Sequence, residues 1–128
     1  MTERRIIPED VKGKEASEAW LRDMEVREGV KVLRMEKCLL EEWPANLSGD
    51  SFPGLKELYA QGNAGLEKVP EGLAPFSRLT LLDVLFTSLS TLPRDLARVC
   101  PLLEALYMND CQFRVIPECV RELKRLKR

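Results

Sequence analysis

Apolar residues fall into a repeating frame from residue 30 onward. The first copy holds Val30, Leu33, Met35 and Cys38, and the second holds Leu55, Leu58, Ala60 and Asn63. The third holds Leu79, Leu82, Val84 and Thr87, and the fourth Leu103, Leu106, Met108 and Cys111. Each copy is followed by another apolar side chain: Leu40, Leu66, Leu89 or Phe113, with one extra residue before Leu66. An apolar-proline pair then recurs as Trp43-Pro44, Val69-Pro70, Leu92-Pro93 and Ile116-Pro117, the prolines stepping by 26, 23 and 24 residues. Three residues after each proline comes Leu47, Leu73, Leu96 or Val120. The units are therefore 30–54, 55–78, 79–102 and 103–128.

Two periods coexist within each unit. Leu33 and Met35 are separated by one residue, so they share a face and Arg34 points the other way. That predicts one short strand per unit. The proline that follows lacks an N–H and turns the chain away from extended pairing. The spacing Pro117, Val120, Leu123 suits a helical or 3₁₀ return started by proline. Repeating strand and return stacks parallel strands about 4.8 Å apart, with one leucine-filled core shared by all units. Leu58, Leu82 and Leu106 are expected inside, and Tyr59, Asp83 and Tyr107 on the outward side.

Residues 1–29 break the period and form a flank. The segment Ile7-Pro8-Glu9-Asp10-Val11 resembles Ile116-Pro117-Glu118-Cys119-Val120. It reads either as an incomplete earlier unit over 6–12 or as a chance match. Residues 14–27 predict a helix with Ala16, Ala19, Trp20 and Met24 on one face. Its expected role is to cover the first open edge of the core, with Trp20 as a packing residue. The end, from Arg121 to Arg128, reads as a short amphipathic helix with basic residues at five of eight positions. These cations suit a helix C-terminus, or else a patch for an acidic protein or anionic lipid.

The registered frame L-x-x-L-x-L-x-x-N with its L-P-x-x-L half resembles the leucine-rich repeat family, in the intracellular form of about 24 residues. The resemblance covers residues 30–128; Ala60 stands in a leucine slot, and Asn63 is the one asparagine among four such positions. It implies an α/β fold: a right-handed solenoid with a parallel sheet on its concave face, here with an N-terminal helical cap. It also implies a ladder of hydrogen bonds at the asparagine slot. Asn63 donates and accepts there, Thr87 does so more modestly, and Cys38 and Cys111 only weakly. More narrowly, Leu79 to Pro93 is similar to repeats of plant nucleotide-binding immune receptors and of small proteins that scaffold GTPase and kinase signalling.

Composition removes several chemistries. The 128 residues include 20 basic and 21 acidic side chains and no histidine. Near-neutral charge argues against a nucleic-acid binder working through bulk charge. Without histidine there is no Ser-His-Asp or Cys-His catalysis and no His-ligated metal. No window approaches the roughly 18 apolar residues of a membrane span, and no apolar signal core opens the chain. Cys38, Cys100, Cys111 and Cys119 form no C-x-x-C motif. Cys38 and Cys111 would lie about 14 Å apart, beyond disulfide reach, whereas Cys100 with Cys119 stays open. Free, mostly buried thiols are expected, which fits the cytoplasm. Gln61-Gly62-Asn63-Ala64-Gly65 lacks the spacing and lysine of a phosphate loop. Glu41 and Glu42 read as exposed turn residues. No cofactor and no metal is expected.

Function should then sit on the outward columns of the sheet. One column runs Arg34, Tyr59, Asp83, Tyr107; its neighbours contribute Glu57 and Leu81, then Glu36, Gln61, Leu85, Phe86, Asn109 and Asp110. This is an aromatic and aliphatic centre with a polar rim, the layout of a protein-binding hot spot. The expectation is a monomeric, non-catalytic adaptor that binds another protein, with no nucleic acid and no membrane span. The alternatives are a sensor or autoinhibitory fragment of a plant-type immune receptor, or the substrate-recognition part of a ubiquitin ligase.

Overall fold

The computed structural model describes residues 4–23, 29–90, 92–108 and 118–127. Five three-residue strands form one sheet: β1 (Arg4–Ile6), β2 (Val32–Arg34), β3 (Glu57–Tyr59), β4 (Leu81–Asp83) and β5 (Ala105–Tyr107). All are parallel and lie in chain order. Parallel neighbours in sequence order need a long return between them, and the proline-bearing halves supply it. The helices are α1 (Gly13–Arg22), α2 (Leu96–Val99) and α3 (Glu118–Arg121).

The register follows the sequence frame. Leu33 pairs with Leu58, Leu58 with Leu82, and Leu82 with Leu106. All four are buried, together with Met35, Ala60 and Val84. The return is built from tight turns. The N–H of Val11 donates to the Pro8 carbonyl at 3.1 Å, and Leu47 to Pro44 and Leu96 to Pro93 do the same at 3.1 Å. A second set precedes β3, β4 and β5: Leu55 to Phe52 at 3.3 Å, Leu79 to Phe76 at 3.2 Å and Leu103 to Cys100 at 3.3 Å. Phe52, Phe76 and Cys100 thus form a further buried column that the sequence frame missed. Gly49 lets two returns touch: a Cβ there would lie 1.7 Å from the Pro75 carbonyl oxygen.

The N-terminal flank differs from expectation in three ways. First, β1 joins the sheet beside β2, with Arg5 opposite Leu33 and Ile6 opposite Arg34. The Ile7-Pro8 turn has the same bond as the turns at Pro44 and Pro93; the segment it was matched with, Ile116-Pro117, lies outside the described residues. Second, α1 ends at Arg22 rather than 27; Met24 lies outside the described residues. Third, the buried side of α1 is Ser17 and Leu21, while Ala16 is exposed and Trp20 only partly buried. The helix is held by polar contacts its sequence did not advertise. Gly13 N–H donates to the Cys38 carbonyl at 2.7 Å, Ala45 N–H to Glu18 Oε2 at 2.6 Å, and Asn46 Nδ2 to the Glu18 carbonyl at 2.9 Å. Ser17 is buried because its small hydroxyl faces Cys38 Sγ at 4.0 Å. At the other end the helix is α3 over 118–121, and residues 122–127 are not helical.

The asparagine slot is occupied as its chemistry demands. Asn63 is fully buried. Its Oδ1 accepts from Cys38 N–H at 3.0 Å and Leu40 N–H at 3.1 Å. Its Nδ2 donates to the Met35 and Ala60 carbonyls at 3.0 and 2.8 Å. One amide therefore satisfies four main-chain groups, three of them in the previous unit. Thr87 Oγ1 donates to its own Val84 carbonyl at 2.8 Å, and Cys38 Sγ reaches the Met35 carbonyl at 3.3 Å.

Candidate functional site

The strands expose one row of side chains opposite the leucines. Register places Ile6, Arg34, Tyr59, Asp83 and Tyr107 in one column. Arg4, Val32, Glu57, Leu81 and Ala105 form the column beside it. Ile6 and Arg4 extend a face that the sequence reading began at Arg34. Ile6 is 59% exposed, one of three large apolar side chains so exposed among the described residues.

The two ends of this face differ. Toward β2 and β3 it is a closed polar network. Arg34 Nη1 donates to both Glu36 oxygens, at 2.9 and 3.1 Å. Gln61 Nε2 donates to Glu36 Oε2 at 3.0 Å, which ties two units together. The Arg34 guanidinium lies 4.0 Å from the Tyr59 ring centroid, and Tyr59 OH donates to Glu57 Oε1 at 2.7 Å. Burial, then the bond to Glu57, pushes the Tyr59 phenol up to about 12. A stacked cation and a paired acid hold these side chains in one arrangement.

Toward β4 the face is apolar. Leu81 and Leu85 are half-buried, and Phe86 is 58% exposed. Phe86 holds a left-handed backbone, φ 57°. Lys37 and Gly62 stand in the same turn position with φ 53° and 79°. Their N–H groups donate to the Gln61 and Leu85 carbonyls, each at 3.0 Å. The turn imposes this conformation, and it suits glycine far better than phenylalanine. Tyr107 is half-buried at the last described strand; Asn109 and Asp110 lie outside the described residues.

Asp83 departs from the expected pattern. It faces outward in register but is only 7% exposed. Its Oδ1 accepts from Leu85 N–H at 3.1 Å. Burial raises its pKa, Glu36 adds to the rise, and the Leu85 N–H and Arg34 oppose it. In register it stands between two larger side chains, Tyr59 and Tyr107.

Elsewhere the surface offers less chemistry. An open groove of about 770 Å³ on the return side is lined by Glu41, Glu42, Trp43, Gly65, Glu67, Lys68 and Pro70. Glu41 and Glu42 are exposed, and Glu42 pairs with Lys14 at 2.9 Å, which lowers its pKa. Cys38, Cys100 and Cys119 are buried free thiols, so the Cys100–Cys119 bridge is not made. Among the described residues no group of three or more His, Cys, Asp or Glu side chains is placed to hold a metal ion. No described helix is long and apolar enough to cross a membrane. Comparison with protein-family models, curated proteins and solved structures finds no match to this chain.

Proposed function

We propose that the chain is a right-handed leucine-rich repeat solenoid with α1 as its N-terminal cap, and that its outward sheet face, the concave one, binds another protein without catalysis. The observation that carries this reading is Phe86. A large apolar side chain stands 58% exposed in a left-handed turn position, where its neighbour one unit back is Gly62. Exposed, conformationally costly apolar groups beside a structured polar network suit an interface better than a bare surface. The network of Arg34, Glu36, Gln61, Tyr59 and Glu57 is already assembled, so little side-chain freedom is lost on contact. Parallel strands in chain order, in leucine register, and the four-bond Asn63 support the repeat assignment. The role that follows is a monomeric cytoplasmic adaptor or scaffold in signalling.

The test is affinity capture from cell extract with the wild type beside the Tyr59→Ala/Tyr107→Ala double variant, both checked for equal thermal midpoints. A partner retained only by the wild type supports the reading. Identical captures from both proteins refute the face assignment.

A further inference from the structure

We infer that Asp83 is the receptor for a basic side chain of the protein partner, a lysine or arginine seated between Tyr59 and Tyr107. The inference rests on the protein-binding reading above and names what that face selects.

Three observations support it. Asp83 is 7% exposed, and one oxygen is held by the Leu85 N–H at 3.1 Å. Among the described residues its other oxygen, Oδ2, accepts no hydrogen bond. The side-chain atoms sealed without partners there are Arg5 Nε, Asn46 Oδ1 and Asp95 Oδ1. Asp83 Oδ2 is not one of them, so it is not fully sealed. A carboxylate recessed in this way, with one oxygen fixed and one free, is oriented to receive a donor from outside.

The walls fit a cation. Tyr59 and Tyr107 occupy the register positions on either side of Asp83. Aromatic rings attract ammonium and guanidinium groups, more strongly when water is excluded. The protein already makes this contact with itself: Arg34 stacks 4.0 Å from the Tyr59 centroid and pairs with Glu36 at 2.9 Å. In the column, Tyr59 stands between Arg34 and Asp83. Arg34 has its acid in Glu36, whereas Asp83 feels Arg34 only as a minor attraction and among the described residues forms no ion pair. The charge is complementary as well: on the described face Glu36, Glu57 and Asp83 stand against Arg34 and Arg4, and Arg4 lies on β1, three strands away from Asp83. Leu81, Leu85 and Phe86 beside it would cover the aliphatic stem of the incoming side chain.

The experiment pans a display library of random linear peptides on the immobilised full chain and measures the enriched peptides in solution. Peptides selected by the wild type are expected to carry lysine or arginine. Replacing that residue by glutamine should weaken binding about tenfold or more on the wild type, and less than about threefold on Asp83→Asn. Asn keeps the Oδ1 contact and the shape, and its thermal midpoint verifies folding. A second variant, Tyr107→Leu, keeps apolar area without the π face and should weaken the basic peptides but not their glutamine forms. Peptides that lose binding on Phe86→Ser, yet ignore both their own basic residue and Asp83, would overturn this assignment and leave the binding face standing. Binders indifferent to Phe86, Tyr59 and Tyr107 alike would overturn both.

Discussion

Phe86 and Gly62 occupy the same turn position in successive units, and both hold left-handed backbone, with φ 57° and 79°. The position imposes left-handed backbone on whatever residue fills it, Lys37 included at φ 53°. A Cβ on Gly62 would meet Lys37 Cγ at 2.7 Å. Phe86→Gly should therefore be neutral or stabilising, by up to about 1 kcal/mol, because removal of left-handed strain is offset by added freedom in the unfolded chain. The same substitution should weaken partner binding. Urea titration checks the first statement and the capture assay the second.

Leu82 is one strand residue before Asp83, yet it belongs to the core and is 3% exposed. Leu82→Asp buries a charge with no partner and should cost more than about 4 kcal/mol, enough to unfold the chain. Phe86→Ser and Tyr107→Ala should keep the wild-type far-UV circular dichroism. If all three variants lose it together, the outward and inward rows have been wrongly separated.

Asn63→Ala removes the partner of two N–H groups and two carbonyls. All four hydrogen bonds are buried, so the loss should reach about 3 kcal/mol or more. Asn63→Asp should not rescue it, since a carboxylate cannot donate to the Met35 and Ala60 carbonyls. Chemical denaturation of both variants, with unchanged slope, is the measurement.

Asp83 sets a pH dependence with a definite sign. Its folded pKa is raised, chiefly by burial. The native state then holds this proton more tightly than the unfolded chain, whose carboxyl titrates near about 3.9. Its contribution to stability is greatest below that value and declines as pH climbs through the raised folded pKa. Asp83→Asn should accordingly raise the thermal midpoint at neutral pH, and the gain should vanish in acid. Calorimetry at both ends of the range decides; an Asn variant that melts earlier at neutral pH contradicts the expectation.

Burial pushes the Cys100 thiol up to about 12 and raises those of Cys38 and Cys119. The thiolate, the reactive form, is correspondingly scarce in the folded chain. Alkylation followed peptide by peptide should leave these three unlabelled in the native chain and label them rapidly in urea. Fast native labelling at Cys100 would mean that the return halves open.

The parallel sheet was legible because leucine spacing encodes both strand period and unit length. The turn prolines and Asn63 were legible for a related reason: each has a backbone job that few residues perform. What escaped notice lacked such uniformity. Arg5 occupies the slot of Leu33 in β1, so the first strand hides behind a charge. Phe52, Phe76 and Cys100 share one buried column with different side chains. Ser17 is buried on α1 where alanines had seemed the natural inner face. On the outward face, register followed from the frame, but the depth of Asp83 did not. Depth depends on what the neighbouring strands set beside it, a relation that no single unit carries.

Gly49 bears on how the molecule can bend. Its N–H donates to the Ala74 carbonyl at 3.1 Å, and its α-carbon rests against the Pro75 carbonyl with no room for a side chain. Backbone meets backbone there, so the first two returns cannot be squeezed closer. Phe76 N–H donates to the Val99 carbonyl at 2.8 Å in the next pair of returns, so any side chain added at Gly49 must prise apart a stack that main-chain bonds hold together.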